Sequence, residues 1–269
     1  MIRPSRPVRV LASALAAGTL LATAACTDES GDPEAVSISP AAERSPASPT
    51  ATPALTGAGA QAALITAADI EDNWEPATDA ATWRNTMLVG KVDVAEFLTA
   101  KSHAADCQRL LDGLYSASLL GRATGASGLR GFTADDSRLL YQVGDYGSAS
   151  LDATLAWVKS VPQKCNHFTA TGKDGSKRTV QVVSAQVPKA GDAREALTVT
   201  VKGTAEGQPA TCTLDVAVVR IGASGAAVTN GGLAGVDHDS TWLAVRHGAQ
   251  RLKEVLAGKT PAPLPSQFD

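Results

Sequence analysis

Apolar residues at Cys107, Leu110, Leu111 and Leu114 follow the i, i+3, i+4, i+7 spacing of one helical face, predicting a helix within Ser102–Leu120. The same period returns at Leu151, Leu155 and Val158, predicting a helix over Ser148–Ser160 that Pro162 ends. It returns again at Val245, Ala249, Leu252 and Leu256, in a helix over Ser240–Ala257 stopped by Gly258. Between the last two helices the period changes to two. Asn166–Thr171, Arg178–Val187, Ala196–Gly203 and Thr211–Ile221 read as strands, with Lys173-Asp174-Gly175 and Ala205-Glu206-Gly207 as turns. Gly222–Gly225 turns the last run back into a strand through Val228. Ser137–Val143 is a further strand, and the glycine-punctuated stretch before it holds one weak strand. Near the start, Thr66-Ala67-Ala68-Asp69 has the spacing of a helix cap, with a short helix to about Asn73, a loop over 75–82 and a strand over Thr86–Val92. Helices bracketing hairpin-linked strands predict an α+β fold, an antiparallel sheet with helices packed on one face.

The first 60 residues have a different character. Arg3, Arg6 and Arg9 precede an apolar run from Val10 to Ala25, which ends in Thr23-Ala24-Ala25-Cys26. Small residues before a cysteine resemble a bacterial lipobox, with Thr23 where Leu, Val or Ile is usual. Residues 1–25 therefore read as a lipoprotein signal peptide and Cys26 as the lipidated residue, a plain secretory signal being the alternative. Residues 26–60 carry Pro33, Pro40, Pro46, Pro49 and Pro53 among Ser, Thr, Ala and Gly, with no aromatic. Such a composition buries too little apolar surface to offset ordering, and it reads as a disordered stalk. The folded domain is then 61–269. The expected location is the extracytoplasmic face of the cell membrane, held by the lipid.

Without residues 1–25 the chain keeps 21 basic and 27 acidic residues, a net charge of −6. That balance argues against nucleic acid as a partner. Beyond Cys26, three cysteines, Cys107, Cys165 and Cys212, remain in a compartment that favours disulfides. Cys107 points inward from its helix and Cys165 sits where the second helix meets the sheet, so Cys107–Cys165 is the preferred pair. Cys165–Cys212 is the rival. Under the first pairing Cys212 is a small buried hydrophobe.

Signals for chemistry are weak, and no catalytic residue, metal or cofactor is expected. The chain lacks Gly-x-Ser-x-Gly, His-Glu-x-x-His and a phosphate-binding loop. His103, His167 and His247 read as structural or surface residues. His238, between Asp237 and Asp239, is the group best placed to act as a base or a ligand. Its simpler reading is a bystander beside two carboxylates that start a helix. The acidic group Asp69, Glu71, Asp72, Glu75 and Asp79 lacks calcium-loop spacing and reads as a solvated edge. Trp74, Trp83, Trp157 and Trp242 are expected in the core, unless one or two line a groove between helices and sheet.

Several scattered pieces resemble, in order and spacing, the PknH-like extracellular sensor domain of actinobacterial receptor kinases and lipoproteins. They are Leu64-Ile65-Thr66-Ala67-Ala68-Asp69-Ile70, Cys107 with Leu110-Leu111-Asp112, and Leu140-Tyr141-Gln142-Val143. Trp157 ahead of Cys165 and Phe168, Val218-Val219-Arg220-Ile221-Gly222, and Arg251-Leu252 complete the set. The resemblance implies an α+β domain with a cleft for an unidentified extracellular ligand, and disulfide stabilisation. Kinase members have two disulfides, so three cysteines leave one bridge absent. The implied function is a non-catalytic, surface-anchored ligand-binding domain for an extracellular or cell-wall ligand, with a receptor as a further candidate partner. A lipid or lipoglycan carrier is the alternative, and an envelope hydrolase using the His238 region a third reading.

Overall fold

The computed structural model describes residues 54–70, 73–86, 92–93, 103–135 and 137–262, all within one unit, Pro49–Asp269. The expected signal peptide, Cys26 and most of the stalk lie outside these residues. Among the described residues no helix is long and apolar enough to cross a membrane.

The antiparallel α+β architecture is as expected. The strands are β1 (Glu75–Ala77), β2 (Val92–Asp93), β3 (Ser127–Ala134), β4 (Ser137–Asp145), β5 (His167–Gly172), β6 (Lys177–Ser184), β7 (Ala193–Ala205), β8 (Gln208–Ile221) and β9 (Ser224–Gly232). They form one sheet in the order β1-β3-β4-β9-β8-β7-β6-β5-β2, with every neighbouring pair antiparallel. Its spine is the long β7–β8 hairpin. The two-residue turn, Glu206 at φ 52° and Gly207 at φ 78°, takes the left-handed pair of conformations that matches strand twist. At Gly231, φ is +126° and an added Cβ would sit 2.1 Å from the Thr213 carbonyl oxygen, so only glycine fits there.

The helices are α1 (Gly57–Ala62), α2 (Trp83–Thr86), α3 (Ala104–Gly113), α4 (Ser148–Lys164) and α5 (His238–Leu256). They occupy both faces of the sheet, where the sequence reading put them on one. Along β8, Leu214, Val216 and Val218 join a core with α3 and α4, while Ala217 and Val219 join a second core with α1 and α5. A central strand covered on both sides reads as a nearly continuous apolar run, and β9 is buried along its whole length. Small residues let α5 lie close. A Cβ on Gly248 would stand 2.4 Å from the Tyr141 hydroxyl oxygen.

Several boundaries differ from expectation. The stalk was expected to run to Ala60, but Gly57–Ala62 is helical, with Leu55 and Ala60 buried and Thr56 Oγ1 accepting from Gly59 N at 3.0 Å. Part of the expected 75–82 loop is β1. Thr86 ends α2 rather than opening a strand, and only Val92–Asp93 of that run is a described strand. Pro162 lies inside α4, whose last turn closes past it through the Cys165 N–H to the Val161 carbonyl, 2.7 Å.

Cys107 and Cys165 are disulfide-bonded, joining α3 to the end of α4, and Cys212 is free and buried. Around the bridge, Lys164 Nζ meets Asp106 Oδ2 at 2.8 Å, and the Arg109 guanidinium lies 3.9 Å from the centre of the Trp157 ring.

Candidate functional site

The first turn of α5 packs over β7 and β8 beside the loop that leaves β6. Asp237 caps the helix, its carboxylate accepting from Asp239 N at 2.9 Å and from Ser240 Oγ at 2.8 Å. His238 is more than a bystander. Its Nδ1 lies 2.6 Å from Oδ2 of Asp215, which projects from β8 onto this face. Thr198, directly across the strand pair, donates its hydroxyl to Oδ1 of Asp215 at 2.8 Å. The Asp215 side chain is 6% exposed and that of His238 62%. A buried carboxylate thus holds Nδ1 of an imidazole whose side chain is mostly exposed. With Nδ1 donating to Asp215, Nε2 of the neutral ring carries the lone pair.

One turn along α5, Trp242 faces the same way. Its Nε1 donates to the Gln186 carbonyl at 2.9 Å, which pins the ring against the loop while leaving the residue 42% exposed. Trp74, Trp83 and Trp157 are all buried. Trp74 donates to Ser240 and Trp83 to Asp79. Trp242 and His238 thereby line a groove of about 320 Å³ between α5 and the sheet, with Ala196 and Val187 supplying apolar surface. This volume suits one ring-sized ligand.

The other histidines play no part in this groove. His103 precedes α3 and His167 heads β5. His247 lies further along α5. Among the described residues no group of three or more His, Cys, Asp or Glu could hold a metal. Asp69 corrects the reading of the acidic group as a solvated edge. It is buried, accepts from Thr66 N at 2.6 Å and Thr66 Oγ1 at 2.9 Å, and lies 3.4 Å from Nη1 of Arg251. Glu71 and Asp72 lie outside the described residues. Asp215 was not singled out in the sequence. The only sequence signal for it is a carboxylate set between the apolar Leu214 and the apolar run Val216–Val219.

No family model and no curated protein matches the chain. Among solved structures, the extracellular domain of PknH from Mycobacterium tuberculosis is similar at 15% identity and a TM-score of 0.45, over 76% of this chain and all of that one. At that level of similarity the likeness says nothing further about this chain.

Proposed function

We propose that the protein is a surface-anchored lipoprotein of the cell envelope whose folded domain binds a ligand without transforming it, in the manner of a sensor domain. The observation that carries the reading is the groove at α5. It presents one exposed, pinned tryptophan face beside an imidazole fixed by a buried carboxylate. Rigid presentation of this kind lowers the ordering cost of binding. The Thr23-Ala24-Ala25-Cys26 sequence supports lipid attachment at Cys26, and the Cys107–Cys165 bridge fits an oxidising compartment.

Tryptophan fluorescence tests the groove, because Trp242 differs from the three buried tryptophans in exposure. Titration with soluble cell-wall fragments is expected to change the emission of the native protein and not of Trp242→Phe. A response that persists in that variant refutes the groove as the site.

The 2.6 Å Asp215–His238 contact also favours a second reading, a hydrolase in which His238 Nε2 takes a proton from water. The two readings separate in His238→Ala. Under the first, ligand affinity falls about tenfold, the loss of one hydrogen bond, with no turnover in either protein. Under the second, a measurable hydrolysis of the same fragments by the native chain disappears.

A further inference from the structure

A separate cleft of about 740 Å³ opens at the edge of β3, remote in sequence from the α5 groove and sharing no lining residue with it. It exists because β1 is short. β1 pairs only with Gly131, Phe132 and Thr133, leaving the first half of β3 at the sheet edge. The loop after α3, with Ser118 and Arg122, arches over the space, and β4 supplies Gln142 as the neighbour of Leu129 on β3.

Gln142 is 4% exposed, and its side-chain nitrogen has no hydrogen-bond partner. A buried N–H donor without an acceptor is costly and rare in a folded protein. This one lines a cleft large enough for a drug-sized ligand. Arg122 is exposed and pairs with no carboxylate among the described residues. None of the lining residues is acidic, in a chain whose formal net charge is −3. Asp145, whose side chain packs beside Gly125, is not among them. Tyr146 also lines the cleft, and burial pushes its phenol up to about 12, so it keeps its proton at neutral pH. Leu129, 40% exposed, gives the cleft an apolar wall.

We propose that this cleft binds a small organic carboxylate, the carboxylate accepting from the Gln142 amide and pairing with Arg122 while its apolar part lies on Leu129. One guanidinium balances one negative charge, which favours a carboxylate over a dianionic phosphate ester. The site is independent of the α5 groove, so either can fail alone.

The test uses the full chain, labelled with nitrogen-15, titrated with hexanoate and with its uncharged counterpart hexan-1-ol. Hexanoate is expected to shift the Gln142 side-chain amide resonances saturably and to bind at least tenfold more tightly than hexan-1-ol. Arg122→Gln, an exposed substitution whose spectrum reports an intact fold, is expected to remove that preference. Equal binding of the two probes, an unmoved Gln142 amide, or a preference that survives Arg122→Gln overturns the proposal. A measurement without ligand completes it. Gln142→Leu removes the orphan donor and is expected to raise Tm by roughly 2–6 °C. A lowered Tm would show that the amide serves the fold, and would overturn the proposal as well.

Discussion

Asp215 and His238 stand 23 positions apart in the chain and 2.6 Å apart in the fold, one on β8 and the other in the first turn of α5. The pair anchors the helix to the sheet and sets which imidazole nitrogen faces the groove. Nitrogen-15 shifts of the neutral His238 ring are expected to report a proton on Nδ1. In Asp215→Ala that preference is expected to vanish, and stability to fall by about 2 kcal/mol, because a hydrogen bond to a charged group is lost and Thr198 loses its acceptor. Nδ1 unprotonated in the native protein would contradict the arrangement.

The Cys107–Cys165 bridge closes a loop with 57 residues between the two cysteines. In the chain-entropy picture a loop of that length contributes about 4 kcal/mol. Replacing both cysteines with serine is expected to lower stability in urea by about that amount. Trp157, packed under Arg109 at the same helix pair, gives a local probe, and its fluorescence is expected to change before the global transition. A loss below about 1 kcal/mol would mean that the α3–α4 contacts hold without the bridge.

Gly248 lets α5 touch the sheet at Tyr141, whose hydroxyl is buried with no hydrogen-bond partner. A methyl at position 248 would enter the space of the Tyr141 ring edge and hydroxyl, so Gly248→Ala is expected to cost about 1–3 kcal/mol by overpacking. Tyr141→Phe alone removes an unsatisfied group and is expected to be neutral or stabilising. Combined with Gly248→Ala it restores part of the loss. Additive effects in this double-mutant cycle would disprove the direct contact.

Much of the fold is legible because its elements are long and strongly periodic. The apolar stripe Val245, Ala249, Leu252 and Leu256 marks α5, and all four residues are buried. The inward face of Cys107 pointed to the observed disulfide. What escapes the sequence depends on contacts between distant segments. Gly57-Ala58-Gly59-Ala60 has poor helix propensity, yet it is helical because Ala60 is buried and Gly59 lies against Val255 of α5. The second helical layer is harder to read because its side of the sheet mixes small residues, Ala196, Ala217 and Ala226, with large ones, Phe132, Leu139, Tyr141 and Val228, that alternate with the residues of the other core. Asp69 reads as solvated because its partner Arg251 is 182 positions away. His238 was found from its flanking carboxylates, but its actual partner is Asp215. The β3-edge cleft has no motif, since it arises from a short β1 and an arching loop.

Cys212 combines burial with freedom from any disulfide, and this gives the fold a definite alkaline limit. The surrounding core disfavours the charged thiolate and pushes the thiol up to about 12. Burial acts in the same direction on Tyr115 and Tyr141, and moves Tyr146 to about 12. In the unfolded chain these groups ionise at ordinary values, about 8.5 for a thiol and 10 for a phenol. Below those values both states are protonated and the contribution to stability is complete. Above them the unfolded state binds fewer protons than the folded one, so stability falls as pH rises from about 8.5 toward 12. Urea midpoints are therefore expected to be level between pH 7 and 8 and to decline steadily above about 9. Cys212→Ala is expected to remove the earliest part of that decline and leave the part due to the tyrosines. In the native protein at pH 8, Cys212 is expected to resist iodoacetamide until urea unfolds the chain. Rapid alkylation without denaturant would show that β8 opens locally, and would remove the basis for this alkaline limit.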